Sequence, residues 1–283
     1  MFDQDHLINN FTGSKSLPLI MGILNITDDS FYDGNKHFET NSAITHANKL
    51  ISDGADIIDI GGESTRPGSI PIDAREEIAR VIPVVKALRD YSGIPISIDT
   101  RKAEVAKLAI EEGVDIINDI SALRFDDQLT NVLSNNPQVM VILMHMQGEP
   151  ENMQINPQYK DVLQEIKIFF TERIEFCLKH NINRNRIILD PGIGFGKTTE
   201  HNLEILANLD YFDALNLPLV IGASRKRFIN DIAAANPDQR LGGSLAATAA
   251  CLNNKVDIIR VHDVYEHKQF ININAAIRNR WKI

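Results

Sequence analysis

Polar residues of a few kinds stand at the ends of short apolar runs along this chain. They are Asn25; Asp59 with Gly61, Gly62 and Glu63; Asp99; Asn118; His145; Asp190; Ser224, Arg225 and Lys226; and Arg260 with His262. Carboxylates and an amide fill the middle of the series, and cations gather at its end. An ionised carboxylate accepts two N–H donors at once, and an amide accepts one and donates one, whereas Arg and Lys hold anionic oxygens. The order suits a ligand with two unlike ends, one rich in N–H groups and one anionic. Helix caps explain single Asp or Ser residues after strands, but not a sorting by charge.

Such groups need a scaffold that gathers them. Apolar, β-branched runs at 19–26, 56–60, 95–99, 115–118, 139–144, 186–190, 217–221 and 257–261 read as strands covered on both faces. Helical spacing lies between them. Ala74, Ile78, Val81, Val85 and Leu88 form one stripe, Val162, Ile166, Phe169, Phe170, Ile174 and Cys177 another, and Phe270, Ile273, Ile277 and Trp281 a last one. Eight strand–helix units of roughly 35 residues predict an α/β fold, a single-domain (β/α)8 TIM barrel over 17–283 with a polar lead-in at 1–16. In that fold the strands' C-terminal ends face the active site, and the loops after strands seven and eight commonly hold phosphate at a helix N-terminus. Gly242-Gly243-Ser244 opens a helical run there and is expected to contribute such an end.

Composition excludes several classes. With 43% hydrophobic and 24% charged residues among 283, the chain is globular, not disordered or collagen-like. A net charge of −9, from 29 basic and 38 acidic residues, argues against a nucleic-acid partner. No apolar run reaches the ~20 residues of a membrane span, and residues 1–16 lack the pattern of a secretion signal. Cys177 and Cys251 have no metal or redox spacing. A cytoplasmic location is expected.

Three motifs are decoys. The run from Gly192 to Thr198 ends like a P-loop but is one residue short, and its glycines are not spaced for a dinucleotide. Gly222 to Lys226 lacks the last glycine of a nucleophile elbow. The eight histidines show no transition-metal spacing. Lys226 beside Arg225 has the makings of a Schiff-base lysine, though phosphate contact explains the same cation with less chemistry.

Eight segments together carry a family resemblance. They are Asn25 to Gly34 (NITDDSFYDG), Asp59 to Gly68 (DIGGESTRPG), Ile98-Asp-Thr-Arg101, Asn118-Asp-Ile120, Met144-His-Met-Gln-Gly148, Asp190-Pro-Gly-Ile-Gly-Phe-Gly-Lys197, Ser224-Arg-Lys226 and Arg260-Val-His-Asp263. In order and position they resemble the dihydropteroate synthase family, from about residue 18 onward. The resemblance implies the barrel and the condensation of 6-hydroxymethyl-7,8-dihydropterin diphosphate with p-aminobenzoate, giving 7,8-dihydropteroate and pyrophosphate for folate synthesis. It also implies small-molecule partners only, Mg2+ as cofactor, and a homodimer.

Carried over residue by residue, the resemblance makes Asp99, Asn118, Met144, Asp190 and Lys226 pterin contacts. Asn25, Arg66, Lys226, Arg260 and His262 resemble the diphosphate end, with Asn25 as the metal ligand. Thr65, Arg66, Pro67 and Phe195 resemble residues around p-aminobenzoate, and Arg227, where some relatives have serine, is placed to meet its carboxylate. Asp99, Asp190, Lys226 and Arg66 are the expected catalytic set. His145 reads equally as a stacking group and as a satisfied core histidine, while Ser224 and Arg225 read as loop-shaping residues. Asp28 and Asn35 depart from the family's usual proline and glycine in the first loop. The alternatives are a methyltetrahydrofolate-dependent methyltransferase and a non-catalytic pterin-binding module, neither of which uses a diphosphate end.

Overall fold

A computed structural model of the chain describes residues 17–26, 36–65, 68–254 and 256–278. The lead-in at 1–16, Asp28 and Asn35 in the first loop, Arg66, Pro67 and Trp281 lie outside the described residues.

Eight parallel strands are present: β1 (Leu19–Asn25), β2 (Ile57–Gly61), β3 (Ile96–Asp99), β4 (Ile116–Asp119), β5 (Met140–Met144), β6 (Ile187–Asp190), β7 (Val220–Ile221) and β8 (Ile258–Val261). From β1 to β6 each pairs with the next, β7 pairs with β8, and β8 pairs with β1. A single parallel bridge between Leu189 and Leu219 links β6 to β7 and closes the ring. The seventh strand is shorter than the 217–221 run predicts. Pro218 has no N–H to give the ladder, and its carbonyl instead accepts from Leu189 at 2.9 Å.

The helices among the described residues are α1 (Lys36–Ser52), α2 (Ala74–Arg89), α3 (Ala103–Glu111), α4 (Asp127–Asn135), α5 (Val162–Lys179), α6 (Thr199–Ala207), α7 (Arg227–Ile232), α8 (Leu241–Asn253) and α9 (Val264–Arg278). None is long and apolar enough to cross a membrane. The stripes predicted for α2 and α5 are buried largely as expected. That for α9 is a correction: the helix buries Val264, His267 and Ile271, while Ile273 and Ile277 are 57% and 72% exposed. Helical spacing marks an apolar face without saying which face meets the barrel.

Alternation along the strands separates two apolar layers. Ile20, Leu24, Ile58, Ile60, Ile98 and Ile117 point outward into the cluster shared with the helices. Met21, Ile57, Ile116, Met140, Ile188 and Ile258 fill the barrel's interior. Inward positions turn polar toward the strands' C-terminal ends, at Asp99, Asn118, Asp190 and Arg260, with Asp59 and Ser97 a layer deeper. At the opposite ends, acidic side chains hold backbone. Asp56 accepts from Ile20 N at 2.8 Å, Asp115 from Ile96 N at 2.9 Å, and Asp257 from Leu219 N at 2.8 Å. The apolar interior plugs one mouth and leaves the other for chemistry.

Candidate active site

A cleft of about 720 Å3 opens at the C-terminal mouth. Asn25, Thr65, Asp99, Phe195, Lys226, Arg227, Arg260 and His262 line it. Asn118, Met144 and Asp190 are 4%, 3% and 6% exposed and stand beneath the lining. Strand register puts Asn118 beside Asp99 and Asp190 beside Met144, so the acceptor-rich groups occupy neighbouring places on the rim.

Arg260 is the hub. Its Nε donates to Asp59 Oδ2 at 2.6 Å and its Nη2 to Asp99 Oδ2 at 3.0 Å. A strand-end pairing with Asp257 or Asp263 would be the ordinary alternative; Asp263 instead takes Arg225, at 3.0 Å from Nε. Burial drives the Asp99 carboxyl up to about 7, with Arg260 pulling the other way. Asp190 is likewise raised by burial, while the Gly192 N–H at 2.7 Å, Lys226 and Arg260 favour its charged form. Both groups are poised to gain when N–H donors arrive.

His262 departs from the expected group of cations. Burial, then Arg260 and Arg225, push its pKa down to about 3, so it enters as a neutral imidazole. Its Nδ1 lies 3.0 Å from Ser224 Oγ, which leaves Nε2 for a ligand. Lys226 is also lowered, to about 8, by burial and by Arg260. Its Nζ sits 4.0 Å above the Phe195 ring, joining the expected diphosphate and p-aminobenzoate contacts. Arg227 is exposed and pairs with Asp231 one helical turn on, at 3.5 Å.

The Gly242-Gly243-Ser244 run is a second correction. A Cβ at Gly243 would lie 2.3 Å from Ile229 Cγ2, so glycine here lets α8 pack against α7. Ser244 Oγ accepts from Arg225 N at 2.9 Å and donates to Arg240 O at 2.8 Å. The run is a packing contact that braces Arg225, itself in the left-handed region at φ +58°. That supports the loop-shaping reading of Ser224 and Arg225.

Sequence reasoning passed over Lys197 as part of a decoy. Its buried Nζ lies 3.0 Å from His145 Nδ1, Gly192 O and Phe195 O, and 3.2 Å from His145 O. Burial lowers its pKa to about 7. It ties the loop carrying Asp190 and Phe195 onto the end of β5 and makes His145 a core histidine, edge-on to Phe169 at 4.9 Å. A buried lysine in a glycine-rich loop carries no distinguishing spacing, so nothing in the sequence marked it. Asp59 was singled out at a strand end without a role, and Arg101 and Lys102 were given none. Arg101 donates to Glu63 at 3.3 Å and Glu149 at 2.9 Å, and Lys102 donates to Glu63, bracing the loop that carries Thr65.

The two loops touch so closely that glycine is required. A Cβ on Gly196, at φ +60°, would fall 2.2 Å from Gln147 O. Strain in that region and overpacking each cost about 1–3 kcal/mol. Gly196→Ala is therefore expected to lower stability by about 3 kcal/mol in urea unfolding; an unchanged midpoint would mean that the loops do not meet as described.

The chain matches the model of the family described as pterin binding enzyme over residues 21–262. It is 45% identical over 261 residues to the dihydropteroate synthase of Escherichia coli strain K12, covering 92% of each chain. The Yersinia pestis dihydropteroate synthase, solved in complex with a sulfonamide drug, superposes with a TM-score of 0.87 at 42% identity, over 94% of this chain and 95% of that one. The Xanthomonas albilineans enzyme in complex with 7,8-dihydropteroate gives 0.81 at 35% identity, over 93% of each. The matched span contains every residue of the mouth from Asn25 to His262, and the chain belongs to the dihydropteroate synthase family of pterin-binding enzymes.

Proposed function

We propose that the chain condenses 6-hydroxymethyl-7,8-dihydropterin diphosphate with p-aminobenzoate, forming 7,8-dihydropteroate and releasing pyrophosphate. The observation that carries this reading is a single mouth that gathers the acceptors Asp99, Asn118 and Asp190 from β3, β4 and β6 with the donors Lys226, Arg260 and His262. Asp190 accepts the paired N–H groups of the pterin's amino-pyrimidine edge, and Met144, packed with Phe195, Met146 and Met153, floors the ring. Thr65, Phe195 and Arg227 receive p-aminobenzoate, with Arg66 and Pro67 completing that side.

The donor set fits a magnesium ion that takes most of its ligands from the substrate. Asn25 lines the cleft, and its Oδ1 stands 3.5 Å from where a Cβ on Gly61 would lie, so the glycine leaves one hard oxygen clear. Among the described residues no three His, Cys, Asp or Glu side chains cluster as metal ligands. Mg2+ commonly keeps one or two protein oxygens and completes its shell with phosphate and water. When bound, Mg2+ would neutralise charge on the departing pyrophosphate, with Asn25 as its protein ligand.

The C–O bond to the diphosphate breaks first, leaving a cation on the methylene that the dihydropterin ring delocalises. Asp99 and Asp190 stabilise that charge, while Lys226, Arg260 and the neutral His262 hold the departing anion. The aniline nitrogen then forms the C–N bond and loses its proton; as a free amine it requires no strong base.

Mixing the two substrates with Mg2+ and following pyrophosphate tests the reaction. Stoichiometric release with dihydropteroate is expected, and a methyltransferase or a binding module releases none. Scrambling of an isotope label within the diphosphate before condensation is the expected mark of early departure; a label that stays in place would point to a single concerted step.

A further inference from the structure

Asp59 lies at the centre of β2, in register with Ile23 and Ser97, and is wholly buried. Asn118 and Asp190 keep 4% and 6% exposure where Asp59 has 0%, so Asp59 stands behind the groups that meet the ligand. A carboxylate in a barrel interior is costly to bury unless its partners compensate it. Several other buried or half-buried aspartates of this fold hold backbone: Asp56, Asp115 and Asp257 as described, and Asp119 through Ser121 N and Leu123 N, both at 2.7 Å. Among the described residues no backbone N–H donates to Asp59. Its Oδ2 takes Arg260 Nε at 2.6 Å and Asn118 Nδ2 at 3.2 Å, and its Oδ1 has no partner among the described residues. Among the described residues its side chain hydrogen-bonds only to two side chains of the mouth, which reach it from β8 and β4.

These contacts set two orientations. With its NH2 committed to Asp59, the Asn118 amide turns its carbonyl oxygen the other way, so Asn118 meets the ring as an acceptor. With Nε committed to Asp59 and Nη2 to Asp99, the Arg260 guanidinium plane is fixed before any anion arrives, as a planar donor fork requires for a specific grip. We propose that Asp59 is a positioning residue that registers the two ends of the substrate, holding Asn118 for the pterin ring and Arg260 for the diphosphate while touching neither. The inference rests on the reaction proposed above and adds a residue to it.

The distinguishing mark is a double loss from a group that contacts no ligand. Titration calorimetry on the full chain would use 6-hydroxymethyl-7,8-dihydropterin for the ring and pyrophosphate with Mg2+ for the tail, comparing parent with Asp59→Asn. We expect both dissociation constants to rise at least fivefold, with KM for p-aminobenzoate within twofold of the parent. A purely structural role would lower the melting temperature and leave both constants unchanged. Either constant within twofold of the parent overturns the proposal. Should the amide variant not fold, Asp59→Ser carries the same comparison, and loss of the fold in both would make Asp59 a core residue and overturn it too. A parent that binds both fragments yet releases no pyrophosphate would sink the reaction and leave the positioning test standing. A parent that binds neither would sink both.

Discussion

Asp190→Asn is expected to weaken pterin binding by about 2–4 kcal/mol, roughly 30- to 1000-fold, without lowering the melting temperature of the ligand-free protein. Asp190 Oδ1 already accepts the Gly192 N–H at 2.7 Å. The variant keeps that bond by leaving its amide oxygen in place, which turns its NH2 toward the ring's own N–H donors. An acceptor becomes a donor facing a donor, and the lost bond is charge-assisted. The effect on the fold has the opposite sign. Burial raises the Asp190 carboxyl above its ordinary value, so the native state binds its proton more tightly than the unfolded chain. Stability then falls as pH rises from about 4 toward the raised pKa, and a neutral amide removes that cost. Melting near pH 7 should match or exceed the parent, the difference shrinking toward pH 4. Calorimetric titration with hydroxymethyldihydropterin and a pair of melting curves check both halves. Unchanged pterin affinity would remove Asp190 from the pocket.

Lys226→Ala is expected to weaken the pterin diphosphate by roughly 30- to 150-fold, corresponding to about 2–3 kcal/mol for a charge-assisted contact, and plain hydroxymethylpterin only a few-fold. The selectivity follows from position, since Nζ stands over the Phe195 ring on the side of the mouth that holds Arg260. A pH signature separates its charge from its bulk. With the lysine lowered to about 8 by burial and Arg260, the ammonium is present below that pH and lost above it. Diphosphate affinity in the parent should therefore hold steady up to pH 8 and decline beyond it, whereas the alanine variant should lose that decline. Competition binding between pH 6 and 9 measures both. Equal weakening of the two ligands would place Lys226 against the ring.

Legibility in the sequence followed the range of the interaction. The strand runs and their polar ends depend on residues next to one another, so all eight strands fall within a few positions of the predicted runs. The exceptions have local causes that appear only in the round. The seventh strand is cut short by Pro218, and the buried face of α9 is set by what it packs against. The residue types of the mouth were equally visible, because alternation and a polar strand end identify an inward group without reference to its partner. The roles of Lys197 and Asp59 were not visible, although Asp59 itself was, since those roles lie wholly in what the side chains touch.

By itself, then, the chain's order of residues determined the barrel, its working mouth and the chemical character of the two sides. The tertiary structure decided how those groups pair. Arg260 meets Asp59 and Asp99 across 201 and 161 residues, burial followed by Arg260 and Arg225 lowers the His262 imidazole, and Gly243 seats one helix on another. Closing the ring brings β8 against β1 and sets cations and carboxylates in a partly water-excluded mouth. There the cost of burial and the field of a neighbour shift a group's charge more than its own side-chain chemistry does.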